Sequence, residues 1–384
     1  MKIGFLSILY GEENRKTGGV RSLISCVSEE LARKGHEVTI ITCGRNRSYT
    51  TDNNIRIIEL NKVDIIGSLK ELFRPTFVFK RLLYMLKANL AVRKEKFDIL
   101  ETFDGGFEYL FLTFFKPCFI SVGTHSNFSH HVLWPRISKI INRIEAFSAK
   151  RCNLINSPSR GYAGIISKGY KIPVSKIRII PNGIDLGRIL DFKCRDVRSR
   201  YKIGGKKIVL FVGEMTRRKG IDVFVSVARR YEKYKNVIFV AIGKDTEFAK
   251  TLKTGENTLF PGVIKNDELF SFYKECEIVL LPTNMEAFGL SILEAFAFGK
   301  PVVTSRIPGV SDIARDRHNA LLCKQGDLED YCGKVEFLLK RKTLKDEYGR
   351  NAFDTAKKFD ISKVTEERIG LYEDLLSNRK GQRL

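Results

Sequence analysis

Cys276-Glu-Ile-Val-Leu-Leu-Pro282, running into Thr283-Asn-Met-Glu-Ala-Phe-Gly-Leu-Ser-Ile-Leu-Glu294, is the stretch from which the rest of this chain is read. The segment up to Pro282 is apolar almost without a break, the pattern of a strand buried on both faces of a parallel sheet. From Ala287 the spacing turns helical, with Leu290, Leu293 and Phe296 or Ala297 on one side, Gly299 as the stop and Pro301 just beyond. Glu286 therefore falls at the carboxyl end of a strand, and Glu294 about two turns into the helix. Ligands of open α/β sheets bind in that crevice, where the N–H groups of Gly289 and Leu290 at the helix start favour a phosphate. A carboxylate there accepts hydrogen bonds from sugar or ribose hydroxyls, and its charge stabilises a developing oxocarbenium ion. The pair alone has a plainer reading, as two solvated acids drawn to a helix start by the macrodipole.

Outward from this stretch, strand and helix patterns alternate in two series. The first half predicts strands at Lys2–Ser7, Glu37–Thr42, Arg56–Leu60, Asp98–Thr102, Cys118–Val122 and Asn153–Asn156, with helices at Val20–Lys34, Thr76–Lys94 and Arg136–Ala149. The second half predicts strands at Lys207–Val212, Val237–Ile242, Asn257–Phe260, Ile278–Leu281, Pro301–Thr304 and Ala320–Cys323. Such alternation means parallel sheets covered by helices on both faces. At 384 residues, 43% of them hydrophobic, the chain is long enough for two domains with cores of their own. Pro181-Asn-Gly183 marks the boundary, giving domains at 1–180 and 181–358 followed by a terminal segment, 359–384.

Several classes are disfavoured. The eight cysteines form no C-x-x-C pair and no metal-ligand spacing, so they read as reduced core thiols, which indicates the cytoplasm and argues against zinc. Ile3 to Tyr10 is too short for a signal-peptide core and reads as the first buried strand. Gly105 to Val122 is interrupted by Glu108, Lys116 and Pro117, which fits a helix followed by a strand better than a membrane span. Gly11 to Val20 contains no G-x-G-x-x-G, which disfavours a hydride-transferring dinucleotide enzyme.

In order along the chain, Gly18-Gly19, Leu31-Ala-Arg-Lys-Gly-His-Glu-Val38, Ile179-Ile-Pro-Asn-Gly-Ile-Asp185, Val212-Gly213, Lys219-Gly220-Ile-Asp222, Phe260-Pro-Gly-Val263, Glu286-x-Phe-Gly289, Leu293-Glu-Ala-Phe-Ala-Phe-Gly-Lys-Pro-Val-Val303 and Pro308-Gly309 resemble the glycosyltransferase group 1 family, of the retaining GT-B, E-x7-E type. The likeness runs through nearly the whole chain. It implies two Rossmann-like domains whose parallel sheets face each other across an interdomain cleft, an acceptor-binding first domain, a nucleotide-sugar-binding second domain, and a terminal helix crossing back to the first. It also implies the reaction: a sugar leaves a nucleotide diphosphate, UDP- or GDP-linked, for a saccharide or lipid-linked acceptor with retained anomeric configuration.

By the same resemblance, Glu286 orients donor-sugar hydroxyls, Glu294 takes the ribose, and Lys219 holds the diphosphate with the amides around Gly18, Gly19, Gly289 and Leu290. No cofactor or metal is expected, because these groups supply the charge stabilisation. His125, in Ser121-Val-Gly-Thr-His125, stands where the family has a histidine meeting the donor sugar, and Asp104 is a candidate acceptor contact. Lys219 also reads as a solvated lysine in a basic loop, and a lone histidine is commonly structural. One departure matters: relatives carry an Arg five residues before this lysine, and this chain has Glu214. A carboxylate there repels phosphate by a few kcal/mol at short range unless neutralised. The expectation is that Arg217 or Arg218 supplies the missing cation and pairs with Glu214.

The net charge is +23, with 29 cations against 15 carboxylates in residues 1–182 and 38 against 29 in 183–384. Within the first domain, Lys70 to Lys96 holds eight cations against Glu71 and Glu95. Phe79, Leu82, Leu83, Leu86 and Leu90 share one helical face there. That face either packs on the sheet or lies on an anionic membrane from the cytoplasmic side, each cation adding roughly 1 kcal/mol. No recognition helix or stacking motif supports specific nucleic-acid binding. The rival readings are a GT-B relative with different chemistry, either an epimerase, which the E-x7-E context opposes, or a phosphorylase, and a non-catalytic partner-binding subunit, for which Glu214 is the hint.

Overall fold

The computed structural model describes residues 1–10, 19–61, 75–104, 109–125 and 135–381. Tertiary contacts divide the chain into two units, Met1–Gly183 with Ile361–Leu384, and Ile184–Asp360.

The first unit is built on a seven-stranded sheet: β1 (Lys2–Leu6), β2 (Glu37–Thr50), β3 (Arg56–Asn61), β4 (Ile99–Phe103), β5 (Phe119–Gly123), β6 (Leu154–Ser157) and β7 (Ile177–Ile179). Their order across the sheet is β3-β2-β1-β4-β5-β6-β7. Helices α1 (Gly19–Arg33), α2 (Pro75–Glu95), α3 (Leu110–Phe115), α4 (Pro135–Arg151) and α5 (Arg160–Tyr170) connect the strands. Ile3, Phe5, Ile99, Ile120 and Val122 are fully or nearly fully buried, the state their unbroken apolar runs require. Local capping agrees with the boundaries: Ser159 Oγ accepts from the Tyr162 N–H at 3.1 Å at the start of α5.

Three features differ from the sequence expectations. Strand β2 extends to Thr50, its polar second half lying opposite β3 with Arg47 across from Glu59. Ile177–Ile179 adds an edge strand after β6. On α2 the inward residues are Tyr84, Met85, Ala88 and Val92, whereas Phe79, Leu82, Leu86 and Leu90 are exposed and Leu83 half-buried. The expected apolar face therefore does not pack on the sheet, because a neighbouring apolar face of the same helix does. Residues 70–74 of that basic stretch lie outside the described residues.

The second unit holds a six-stranded sheet in the order β10-β9-β8-β11-β12-β13. Helices α6 (Leu186–Leu190) and α7 (Val197–Arg200) precede β8 (Lys207–Val212) and α8 (Ile221–Arg230). Then follow β9 (Val237–Ile242), α9 (Glu247–Lys250), β10 (Thr258–Gly262), α10 (Asn266–Glu275), β11 (Ile278–Leu281), α11 (Leu290–Ala297), β12 (Val302–Ser305), β13 (Ala320–Cys323), α12 (Leu328–Leu339) and α13 (Lys342–Ala356). The strand order reverses between β8 and β11, the position at which doubly wound sheets open a crevice for ligands.

The last helix, α14 (Ile361–Gly381), belongs to the first unit. Arg368 Nη1 donates to both Glu101 oxygens of β4 at 2.6 Å, and the Tyr372 hydroxyl donates to the same carboxylate. Glu101 and Arg368 are 1% and 2% exposed, so each charge depends on the other for the solvation it has lost.

Candidate active site

The candidate residues of the second unit converge at the carboxyl ends of β8 and β11. After β8 the chain turns through Gly213 to a short helical turn, Arg217–Lys219, capped by Thr216, whose Oγ1 accepts from the Lys219 N–H at 3.3 Å. After β11 it runs through Pro282 to Glu286. The two loops are stitched together. Asn284 N–H donates to the Arg218 carbonyl at 2.8 Å, Asn284 Nδ2 to the Arg217 carbonyl at 2.7 Å, and Thr283 Oγ1 to the Arg218 carbonyl at 3.3 Å. Within that frame Lys219 Nζ donates to Glu286 Oε1.

Two glycines explain why this close arrangement forms. Gly220 has φ +78°, and a Cβ there would sit 2.0 Å from the Pro282 carbonyl oxygen. A Cβ on Gly309 would sit 1.6 Å from the Glu286 carbonyl oxygen, so the Pro308-Gly309 turn fits only with a bare backbone.

Glu294 projects from α11, where its Oε2 accepts from the Tyr273 hydroxyl of α10 at 3.0 Å. Tyr273 also donates to the Ser291 carbonyl at 3.2 Å, and its ring stacks on Phe298 at 5.5 Å. Burial raises the Glu294 carboxyl to about 7, with the Tyr273 hydrogen bond acting weakly the other way. Gly289, at φ +97°, begins α11 and sets Leu290 at its first position. The Leu290 and Ser291 N–H groups precede the first bonds of the helix, which run from Ile292 and Leu293 to the Gly289 carbonyl at 3.0 and 3.1 Å, and this makes the helix start suited to an anion.

Arg217 and Arg218 have partners other than Glu214. The Arg217 guanidinium lies 5.0 Å from the Phe248 ring centroid and 3.9 Å from the Asp222 carboxylate. Arg218 Nη1 donates to the Met285 carbonyl at 3.4 Å. Among the described residues Glu214 forms no ion pair, so its pairing with either arginine is not found here. Their nearer partners, Asp222 and the carbonyl of the β11 loop, compete successfully for both cations.

In the first unit the chain leaves β5 at Gly123 and reaches His125, whose N–H donates to Asp104 Oδ1 at 2.9 Å. The His125 ring packs on Phe103 at 5.4 Å between centroids. Burial, and secondly the positive charge of Arg368, push its pKa down to about 3, so the ring is neutral at physiological pH. Asp104 is only 3% exposed and also accepts from the Tyr170 hydroxyl. Its carboxylate supports the His125 loop. Gly19 begins α1 and is exposed. Gly18 lies outside the described residues.

Tyr273, Thr283 and Asn284 were not singled out in the sequence. Their signal is weak: an aromatic in an amphipathic helix, and two polar residues after a strand. No group of His, Cys, Asp or Glu with metal-binding proximity occurs among the described residues.

With this geometry in place, comparison with known proteins identifies the class. Models described as "Glycosyl transferases group 1" and "Glycosyltransferase Family 4" match residues 195–355 and 17–188. The chain belongs to the group 1 glycosyltransferases and has the two Rossmann-like α/β domains of the GT-B fold. An uncharacterized glycosyltransferase of Methanocaldococcus jannaschii is 24% identical, covering 97% of this chain and 98% of its own length. Sucrose-phosphate synthase from Thermosynechococcus elongatus superposes with TM-score 0.80 at 18% identity, covering 98% of this chain and 99% of that one. Anabaena HepE in complex with UDP and glucose superposes with TM-score 0.73 at 16% identity, covering 97% and 99%. These two likenesses are of fold.

Proposed function

We propose that this glycosyltransferase takes a sugar from a nucleotide diphosphate sugar, UDP- or GDP-linked, and delivers it with retained configuration to a hydroxyl of a saccharide or lipid-linked acceptor. The observation that carries the proposal is the placement of Lys219, Glu286, Glu294 and the start of α11 around one strand crevice. These are a cation, two carboxylates and an anion-favouring helix start, the groups needed for a diphosphate flanked by a ribose and a sugar. HepE, which shares the fold, is described in complex with UDP and glucose.

In this reading Lys219 leaves Glu286 for the donor diphosphate, and Glu286 is released to accept hydrogen bonds from sugar hydroxyls. As the glycosidic bond lengthens, negative charge grows on the leaving diphosphate. Lys219 and the N–H groups at Gly289 and Leu290 meet it without a metal ion. Positive charge grows on the sugar ring, where the Glu286 carboxylate stabilises it. Glu294, oriented by Tyr273, binds the ribose hydroxyls.

Incubation with UDP-, GDP- and ADP-sugars and quantification of released nucleotide tests the proposal. Nucleotide release by the wild type that Glu286→Gln and Lys219→Ala both abolish is the expected result. Release that persists in both variants overturns the assignment.

A further inference from the structure

The first unit presents an apolar, cationic face across three helices. On α2, Phe79, Leu82, Leu86 and Leu90 are 43–67% exposed. Beside them α3 turns Phe114 and Phe115 outward, and α4 turns Phe147 outward. Contacts link the three helices into one surface. The Arg93 guanidinium of α2 lies 4.5 Å from the Phe115 ring centroid, the Phe114 and Phe147 rings are 5.9 Å apart, and Arg151 lies within 5.4 Å of both. An arginine held over a ring keeps its charge available while its flat face covers apolar surface. A continuous exposed apolar patch of this kind marks an interaction surface.

Its charge indicates the occupant. The sequences of α2, α3 and α4 contain two carboxylates, Glu95 and Glu145, and both are buried. Glu95 pairs with Arg56 and Lys2, and Glu145 accepts from the Tyr109 hydroxyl at 2.6 Å. The exposed charges on these helices and their ends are cations: Lys80, Arg93, Lys94, Lys116, Lys150 and Arg151 among them. A surface of single sign, with leucines and phenylalanines between its cations, complements an acidic bilayer interface. The apolar groups enter the headgroup boundary while the cations meet lipid phosphates. No helix of the described residues is long and apolar enough to cross a membrane, so the contact lies in the plane of the interface.

We infer that the α2–α3–α4 face docks on an anionic lipid bilayer. The inference is independent of the donor chemistry, so it stands or falls apart from the proposed reaction. The test is co-sedimentation of the full chain with vesicles of phosphatidylcholine alone and of phosphatidylcholine containing one-third phosphatidylglycerol. Three paired variants are compared: Leu82→Gln with Leu86→Gln, Phe114→Ser with Phe115→Ser, and Arg93→Gln with Arg151→Gln. Thermal unfolding by circular dichroism identifies variants that keep their fold.

The expected result is strong preference for the anionic vesicles, weakened about tenfold or more by each pair and reduced by salt. Three results overturn the inference. One is no binding to anionic vesicles at low salt. The second is binding that all three folded pairs leave unchanged, which assigns it to charge elsewhere on the chain. The third is a concentration-dependent dimer lost in the same variants without vesicle binding, which assigns the face to a second copy.

Discussion

Lys219 and Glu286, 67 positions apart in sequence, form an ion pair where the loops after β8 and β11 meet. Each side chain is about one-fifth exposed, so the pair is partly shielded from water and strengthened accordingly. A diphosphate carries more negative charge than one carboxylate and competes for the lysine. Lys219→Ala is therefore expected to weaken nucleotide diphosphate affinity by roughly a hundredfold, the scale of one strong charge-assisted contact. Isothermal titration of wild type and variant measures it.

Glu286→Gln keeps the shape of the side chain and removes its charge. The account predicts a fall in kcat of about a hundredfold or more, with nucleotide affinity unchanged or improved. Improvement follows if Lys219 is freed from a competing carboxylate. Turnover and binding measured on the same preparation separate the two effects.

Glu294 gives a pH dependence. Burial raises its carboxyl to about 7, and ribose hydroxyls donating to it favour the ionised form. Nucleotide affinity should strengthen as pH rises from about 6 to 8, and Glu294→Gln should flatten that slope. Stability runs the other way. The folded pKa lies above the ordinary carboxylate value of 4.5, so the folded state holds the proton more tightly. The contribution of this group is greatest below about 4.5, declines as pH rises through 7, and is absent above. Calorimetric titration and pH-dependent melting check the two signs.

Gly309→Ala places a methyl group 1.6 Å from the Glu286 carbonyl oxygen. Something in the β11 loop must move, and Glu286 moves with it. Activity should fall by about a hundredfold, as for a misplacement near 1 Å, while the unit still unfolds cooperatively. Assay and thermal denaturation of the variant together decide this.

Glu101 and Arg368 give the test of the terminal helix. Arg368→Met leaves a buried carboxylate without its partner and should destabilise the first unit by about 3–5 kcal/mol. Adding Glu101→Gln should restore part of that loss, because no unpaired charge remains. Denaturant unfolding of both singles and the double variant yields the coupling.

The strands were readable because burial on both faces leaves unbroken apolar runs such as Val237–Ile242. Glu286 and Glu294 were readable from their position relative to such a strand. Other features were hidden for identifiable reasons. The β7 segment Ile-Arg-Ile is too short to show a period, and the second half of β2 is polar. On α2 two neighbouring faces are apolar, so helical spacing alone does not decide which one meets the core. The partners of Glu101 and Glu294 lie 267 and 21 positions away, and a carboxylate carries no mark of the residue it will meet. Arg217 and Arg218 were assigned to Glu214 by charge alone, whereas local geometry hands them to Asp222, Phe248 and the Met285 carbonyl.

The most direct measurement is a thermal-shift titration of UDP, GDP and ADP against wild type, Lys219→Ala and Glu294→Ala. At a hundred times its dissociation constant a ligand stabilises by about 2.7 kcal/mol, a shift of several degrees. The account predicts such a shift for one of these nucleotides with the wild type, and its loss in both variants. No shift with any nucleotide, or a shift that both variants retain, would contradict a nucleotide-sugar site at Lys219 and Glu294.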